Sequence, residues 1–536
     1  MLRRWIQTPF SLRGMEIFIP SLANLIFLVL FLSLSLSKIG FLLSDADTGW
    51  HIRAGEFIWA TFSVPKHDVF SFITPSPYWI NHSWLSEVIM ALVHQSLGLT
   101  GIVIFFALLI SLSYSMLFKL MQKEQGNIFL AVFIMLFTIA SCIFHWLARP
   151  HIFSLLFFVI GYYILENFQY RHINYLYFFP PIFFFWVNLH GGFISGFILI
   201  FIYLIGNLIK FIILKDETKE YYKQKTKFLT LTIAACLFVS LINPYGLNTL
   251  LYPFKLISQK LIMNNIAEFR SPNFHSPLLL PSKYFLLFMI LIIGILKKNL
   301  NVIEIFLLII FTNMALFSQR FIPLLCIVAA PIFIRNGEWI LNRIHHRFVD
   351  VFQRKSNDIC LIDTSAKGYL WLVAGILIVT LAVATNRIEH KFDESRKPVD
   401  AVRFLKKALI KGNMFNDDEF GDYIIYSAHP QYKVFIDSRV DMYGIDQFKD
   451  YLTMVYFKPG WENLVEKYNI NWFILNSDSI LSRYLMERND WRLIYSDKVA
   501  NIFIKNIREN QDIIQRYGNV EPVTAPFSPY VYLSIP

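Results

Sequence analysis

The stretch FLLSDADTGWHIRAGEFIWA, residues 41–60, sets two carboxylates, Asp45 and Asp47, directly behind a long apolar run, with His51 close after them. Carboxylates so placed can take up a proton or share a divalent cation, and ionisable groups at membrane depth are costly enough to mark function. Other turns carry comparable groups. NHSWLSEV holds His82 and Glu87, RPHIFS holds Arg149 and His151, NLHGG holds His190, and SQRF holds Arg320. Taken singly, each reads as well as a helix cap or interface anchor as it does as a functional group. Taken together, they form a set of acids, histidines and arginines at the ends of apolar runs.

Those runs are the elements that must position the set. The chain has 536 residues, 55% hydrophobic and only 16% charged, where a soluble chain carries roughly 25% charged residues. The net charge of +11 does not point to nucleic acid, because the basic residues lie in short loops between apolar runs. A helix needs roughly 20 apolar residues to cross the hydrocarbon core. Runs of about that length, some shorter, lie near 16–43, 100–121, 128–147, 152–168, 173–190, 193–213, 228–242, 284–296, 302–317, 321–335 and 367–387. The fold predicted is an all-α polytopic membrane bundle of about eleven transmembrane helices. The first run is too long for a cleavable signal and has no small-residue cleavage site. Cys142, Cys236, Cys326 and Cys360 have no CxxC or Cys/His spacing, so neither a disulfide framework nor a zinc site is predicted.

Basic residues orient the bundle. Arg3, Arg4, Arg13, Lys119, Lys123, Arg171, the lysines of 210–227, Lys297, Lys298 and Arg335–Lys367 fall on one side; Arg53, Lys66, Arg149, Lys255, Lys260, Arg270, Lys283 and Arg320 fall on the other. The positive-inside rule then puts the N-terminus in the cytoplasm. An odd number of spans puts residues 388–536 outside, and the chemistry-bearing turns share that outer face.

The domains expected are a membrane domain over 1–390 and an extracytoplasmic α/β domain with its tail over 391–536. The first outer loop, 44–99, would hold amphipathic interfacial helices near 48–61 and 84–97. In the outer domain DAVRFLKKALI and GWENLVEKYNI read as helices, and YKVFID, NWFILN, WRLIYS and NIFIK as strands. FNDDEFGDYIIY and VFIDSRVDMYG place Asp417, Asp418, Glu419, Asp422, Asp437, Arg439 and Asp441 near predicted strand ends, where acids are ordinarily solvated turns.

This layout resembles the GT-C superfamily of integral-membrane glycosyltransferases, which includes the protein O-mannosyltransferases and the transferase that adds aminoarabinose to lipid A. Those enzymes have a first span, an outer loop with an acidic pair, interfacial helices and a many-span bundle, often with an outer C-terminal domain. The run DADTGWHIRAGEFI … NHSWLSEV … RPHIFS … NLHGG … NPYG … FIDSR is similar to a bacterial group of membrane proteins placed near them. The spelling departs from well-studied members, which have Asp-Glu or Glu-Xaa-Asp for the acid pair and Lys-Pro-Pro-Leu where NHSWL stands here.

The resemblance implies an enzyme of the bacterial cytoplasmic (inner) membrane. It would move a sugar from a polyprenyl-phosphate donor to a glycan, lipid or protein acceptor on the outer face, with inversion at the anomeric carbon. Asp47 is then the preferred general base, because the loop helix starts immediately after it. Asp45 assists by a metal contact, hydrogen bonding or charge tuning; a divalent cation at Asp45 and Asp47 is the one cofactor considered. Arg149, His151, His190 and Arg320, with His82, Glu87 and His51, would bind the donor phosphate or substrate. The alternatives are a non-catalytic GT-C-like scaffold and a flippase for lipid-linked sugars. A scaffold would tolerate Asp47→Asn. A flippase would want acids inside several spans, where the sequence has few and Glu304 lies near an inner end.

Overall fold

The structure, a computed structural model, describes residues 16–37, 40–124, 127–215, 218–295, 300–343 and 346–523. Arg3, Arg4, Arg13, Lys297 and Lys298, which carry part of the orientation argument, lie outside the described residues.

The chain is mostly helical. In order come α1 (Leu22–Leu36), α2 (Asp47–Thr61), α3 (Trp84–Gln122), α4 (Ile128–Cys142), α5 (His151–Tyr170), α6 (Phe179–Leu189), α7 (Phe193–Ile213), α8 (Thr218–Ser240), α9 (Leu247–Ser258), α10 (Lys260–Asn265), α11 (Leu280–Ile295), α12 (Val302–Phe317), α13 (Ile322–Leu341), α14 (Arg347–Ser365) and α15 (Tyr369–Ala384). Each of the eleven apolar runs carries one of these helices. By length and composition, six helices among the described residues are able to cross a membrane: α3, α4, α5, α7, α11 and α13, three of them with an adjoining short turn. The bent pair α14 and α15, at 73° to each other, would make a seventh, and α1 and α12, with α6 and the turn before it, are shorter apolar helices. The architecture is therefore multi-pass, but helix length does not return eleven spans. A 15-residue helix such as α1 reaches only about 22 Å, and the first half of α8, TKEYYKQKTK, is charged.

The chain divides into two compact units. The first comprises residues 1–39, 100–253 and 263–389. Its core is aromatic, with Trp186, Tyr162, Tyr203, Phe158 and Phe183 all sealed from solvent. An ion network ties four segments of this unit. Arg335 of α13 binds Glu124 beyond α3 and Glu166 of α5, each at 2.7 Å, and also Glu304 of α12. Arg171 takes the other oxygen of Glu124 at 2.6 Å. Glu304 also closes a capping box with Asn301 at the start of α12. Glu124, Glu166 and Glu304 are thus bound to arginine in a network that holds helices together.

The second unit comprises residues 40–99, 254–262 and 390–536, so the loop after α1 and the C-terminal region fold as one body. Its C-terminal part holds α16 (Val399–Ala408), β1 (Asn413–Asn416), α17 (Asp418–Ala428), α18 (Val440–Val455), α19 (Trp461–Lys467), β2 (Ile470–Asn476), α20 (Ile480–Met486), β3 (Trp491–Ser496), β4 (Ala500–Lys505) and α21 (Gln511–Tyr517). The sheet has the order β1-β2-β4-β3, parallel between β1 and β2 and antiparallel elsewhere. Apolar side chains on both faces of β2, INWFILN, suit a central strand covered on both sides.

One expected strand is absent. YKVFID is extended but forms only a single bridge, Ser71 to Val434. Its backbone groups are taken by other partners. Phe72 N–H donates to the Val434 carbonyl, and the Asn416 amide both accepts from Phe435 N–H at 2.9 Å and donates to the Ile436 carbonyl at 2.7 Å. Side chains and a loop replace a ladder here, a substitution that alternating hydrophobicity does not reveal.

Candidate active site

In the second unit the helix α2 begins at Asp47. Asp45 turns one carboxylate oxygen onto the Asp47 N–H at 3.0 Å, satisfying an amide that the first helical turn leaves open. Asp47 is then the first helical residue, 6% exposed. There the unpaired amides and the helix dipole favour a negative charge.

Two glycines set what lies around this turn. A Cβ on Gly49 would stand 2.7 Å from Tyr426 Cβ and 3.2 Å from the Asp422 carbonyl, so α2 lies directly on α17. A Cβ on Gly55 would stand 1.9 Å from the Glu87 carbonyl, so the same helix touches the start of α3. The second contact joins residues singled out above. His51 Nδ1 meets Glu87 Oε1 at 3.0 Å, Asn81 donates to the other Glu87 oxygen at 2.5 Å, and the His51 ring stacks at 3.6 Å on Trp50. Glu87 and His51 are both buried. His82 sits half-buried in the turn before α3.

The first contact brings residues that sequence reasoning had set among solvated turns. Asp422 and Asp437 are fully buried and Arg439 is 4% exposed. Asp422 Oδ1 accepts from Ser438 N–H at 3.1 Å and from Ser438 Oγ at 3.0 Å, and Ser438 Oγ accepts from the Trp50 indole of α2 at 3.0 Å. Asp422 Oδ2 is buried and has no hydrogen-bond partner. Burial, and then the charges of Asp47, Asp437 and Asp45, push the Asp422 carboxyl well above the usual carboxylate range. Asp437 is instead gripped by Arg439 through Nε at 2.8 Å and Nη2 at 2.5 Å, with Tyr443 OH at 2.6 Å. Asp417 and Asp418 are half-buried and Glu419 is exposed.

Among the described residues no three His, Cys, Asp or Glu side chains are grouped so as to hold a metal ion. One Asp45 oxygen is already on the backbone.

The first unit assembles the other candidates. Arg149 Nη1 meets Glu268 Oε1 at 2.5 Å. Arg320 lies 4.9 Å over the neighbouring Phe269 ring. The 267–270 segment is pinned to the turn before α13 by Ser318 Oγ on the Glu268 carbonyl and by Gln319 N–H on the Arg270 carbonyl. Partial burial raises the Glu268 carboxyl, but Arg149, Arg320 and His145 outweigh this and hold it at about 2. His151 Nε2 meets the His145 carbonyl at 2.9 Å, and its ring lies 4.4 Å from that of His145 and 6.5 Å from that of His190. His190 Nδ1 accepts from Gly192 N–H at 3.0 Å and meets Ser154 Oγ at 2.8 Å, which leaves the ring proton on Nε2. Arg149, His151, His190 and Arg320 therefore belong to one cluster. Asp45, Asp47, His51, His82 and Glu87 belong to the other unit. Glu268 and His145 were missed, since a lone acid in a polar loop and a histidine ending an apolar run carry no spacing signal.

No protein-family model and no curated protein matches the chain. Among solved structures the fold is similar to the oligosaccharyltransferase of Archaeoglobus fulgidus. With the form tethered by a disulfide to an acceptor peptide containing the NVT sequon, the TM-score is 0.55 at 12% identity, over 91% of this chain and 74% of that one. With the apo form the values are 0.52, 10%, 94% and 75%. With the complex of an inhibitory peptide and a dolichol-phosphate, where the enzyme is called AglB, they are 0.50, 12%, 86% and 70%. At such identities the likeness is one of fold alone.

Proposed function

We propose that this chain, built on the fold of the archaeal oligosaccharyltransferase, is a glycosyltransferase that moves a sugar from a polyprenyl-phosphate-linked donor to an acceptor at the outer membrane face. The observation that carries this reading is Asp47: a nearly buried carboxylate on the first turn of the helix that follows the first apolar helix. The binding of a dolichol-phosphate and of an acceptor peptide by proteins of the same fold supports a lipid-linked donor and a glycan, lipid or protein acceptor.

In the mechanism proposed, an acceptor hydroxyl attacks the anomeric carbon while its proton passes to the Asp47 carboxylate. The bond from that carbon to the phosphate oxygen breaks, and the phosphate leaves as an anion. Attack opposite the leaving group inverts the centre in one displacement. Arg149 and Arg320, flanked by His151 and His190, receive the phosphate charge. Glu268 holds Arg149 when no phosphate is bound. Asp45 orders the turn that carries the base.

Two expectations follow. Arg149→Ala and Arg320→Ala should each weaken binding of a polyprenyl phosphate by about 1.5–3 kcal/mol, roughly ten- to hundredfold in Kd. Lysine should restore only part of this, since it lacks the two-pronged grip of guanidinium on phosphate. Unchanged affinity in both alanine variants, measured on purified protein, removes the cluster from donor binding. For topology, with the N-terminus inside and eleven spans, reporters fused at Lys223 and Asp446 should report opposite sides of the membrane. Both on one side would sink the proposed outer-face chemistry.

A further inference from the structure

Among the buried acids of the second unit that the mechanism above does not use is Asp422. Asp422 lies inside α17, fully sealed, with Oδ1 committed to the Ser438 N–H and Oγ and Oδ2 without any donor. A buried carboxylate oxygen with no partner costs far more than the same oxygen carrying a proton.

Among the described residues no cation forms an ion pair with Asp422. From α2 and the turn before it, Asp422 faces Asp47 and Asp45; from the segment before α18 it faces Asp437. The cations within reach are committed elsewhere. Arg439 is held by Asp437 and by Asp68 at 2.9 Å, and Lys397 by Glu419 at 2.9 Å, although Lys397 also senses Asp45 and Asp422. Farther along α2, Arg53 is bound to Glu56 and to the Tyr426 carbonyl. On α17 itself, Asp418 adds a further acid, bonded to Tyr451 OH.

We infer that Asp422 is a positioning residue for the acid pair of the first loop: a neutral carboxyl that keeps its proton so that Asp47, across the Gly49 contact, is the ionised member and can serve as base. Environment decides which of the two keeps the proton. Asp47 stands at a helix start, where open amides and the dipole favour its anion. Asp422 stands inside a helix with one oxygen unsatisfied. Two carboxyls pushed apart in this way divide into an acid and a base. The strong rise of Asp422 agrees with this, with Asp47 its largest charged cause. The C-terminal region thereby contributes to the chemistry of the first loop, and a neutral Asp422 avoids a second full charge beside the base.

The inference takes its functional meaning from the proposed role of Asp47, but its test needs no turnover. Infrared difference spectra of the full-length protein, recorded through a pH titration, report the protonated-carboxyl stretching band. The wild type should retain a band at neutral pH that Asp422→Asn removes. Asp47→Asn should keep that band and lower its titration midpoint by about one to three pH units, because the facing charge is gone. This second variant leaves Asp422 native, so it decides the matter even where Asp422→Asn folds poorly. A protonated-carboxyl band at neutral pH that loses no intensity on Asp422→Asn in folded protein, or a midpoint of that component unmoved by Asp47→Asn, overturns the inference. A protein that passes both spectral tests yet transfers no sugar would overturn the glycosyltransferase reading alone.

Discussion

Asp47→Asn is expected to lower sugar transfer by about 10² to 10⁴ in rate, the usual cost of losing a general base, with the fold unchanged. Asparagine has the volume of aspartate and keeps an acceptor oxygen, so α2 can still start at this residue, with Asp45 on its backbone amide. What disappears is the site that takes the acceptor's proton. Asp45→Asn should cost much less, because an asparagine oxygen can accept from the residue 47 amide as the carboxylate does. The rate should fall in acid as Asp47 takes up a proton, and that acid limb should be missing from the residual activity of Asp47→Asn. The assay is transfer of labelled sugar from a polyprenyl-phosphate donor by purified protein. Near-normal turnover by Asp47→Asn would falsify the assignment and favour a scaffold with the same fold. Loss in Asp45→Asn alone would exchange the roles of the two acids and leave the reaction intact.

Much of this arrangement was legible in the sequence, for physical reasons that differ by element. The apolar runs were legible because a lipid-facing or bundle-core helix has no cheaper composition, and each run carries a helix. The start of α2 was legible because two acids and a small residue break an apolar run where a helix begins. NWFILN, WRLIYS and NIFIK became β2, β3 and β4 because a sheet covered on both faces demands apolar runs, here in strands of six or seven residues. YKVFID has the same pattern but lies against residues 70–72 and the Asn416 amide, partners hundreds of positions away or on another element. The burial of Asp422 and Asp437 was illegible for a related reason. An acid in a turn is solvated unless something covers it, and here the cover is α2 and residues 66–80, more than 300 positions upstream. FIDSR did carry a signal in hindsight: an acid and an arginine two residues apart directly behind VFI can satisfy each other inside a core. Helix length does not confirm the count of eleven spans at the shorter apolar helices, α1, α12 and α6 with the turn before it.

Arg439→Ala should be the most damaging single change to the second unit, at about 3–5 kcal/mol, the cost of breaking a buried ion pair from one side. Arg439 reaches Asp437 through two nitrogens and Asp68 through Nη2 at 2.9 Å. Its guanidinium lies 4.5 Å from the Trp79 ring centroid, 5.0 Å from Phe70 and 5.4 Å from Trp50. The one side chain therefore joins α2, the 66–80 loop and the segment before α18. Alanine would leave two buried carboxylates facing each other among aromatic rings. Lysine would keep the charge but not the planar fork, and should recover only part of the loss. Burial alone would raise the Asp68 carboxyl, but Arg439 and the Ser71 and Phe70 donors outweigh it and hold it below the ordinary range. A depressed carboxyl stabilises the fold above its unfolded pKa of about 4, and that contribution drains away as pH falls through the lower folded value. Without Arg439 the sign reverses: the buried Asp68 gains from protonation, so acidifying from neutral pH should partly stabilise Arg439→Ala. Hydrogen exchange over residues 66–80 and 434–443 in the full-length protein is the measurement, with thermal unfolding at two pH values beside it. Wild-type protection in those segments for the alanine variant would show that the cluster does not hold the unit together. Combining Arg439→Met with Asp437→Asn and Asp68→Asn removes all three charges at once, and should recover most of the lost protection, because the penalty lies in the carboxylates left unpaired.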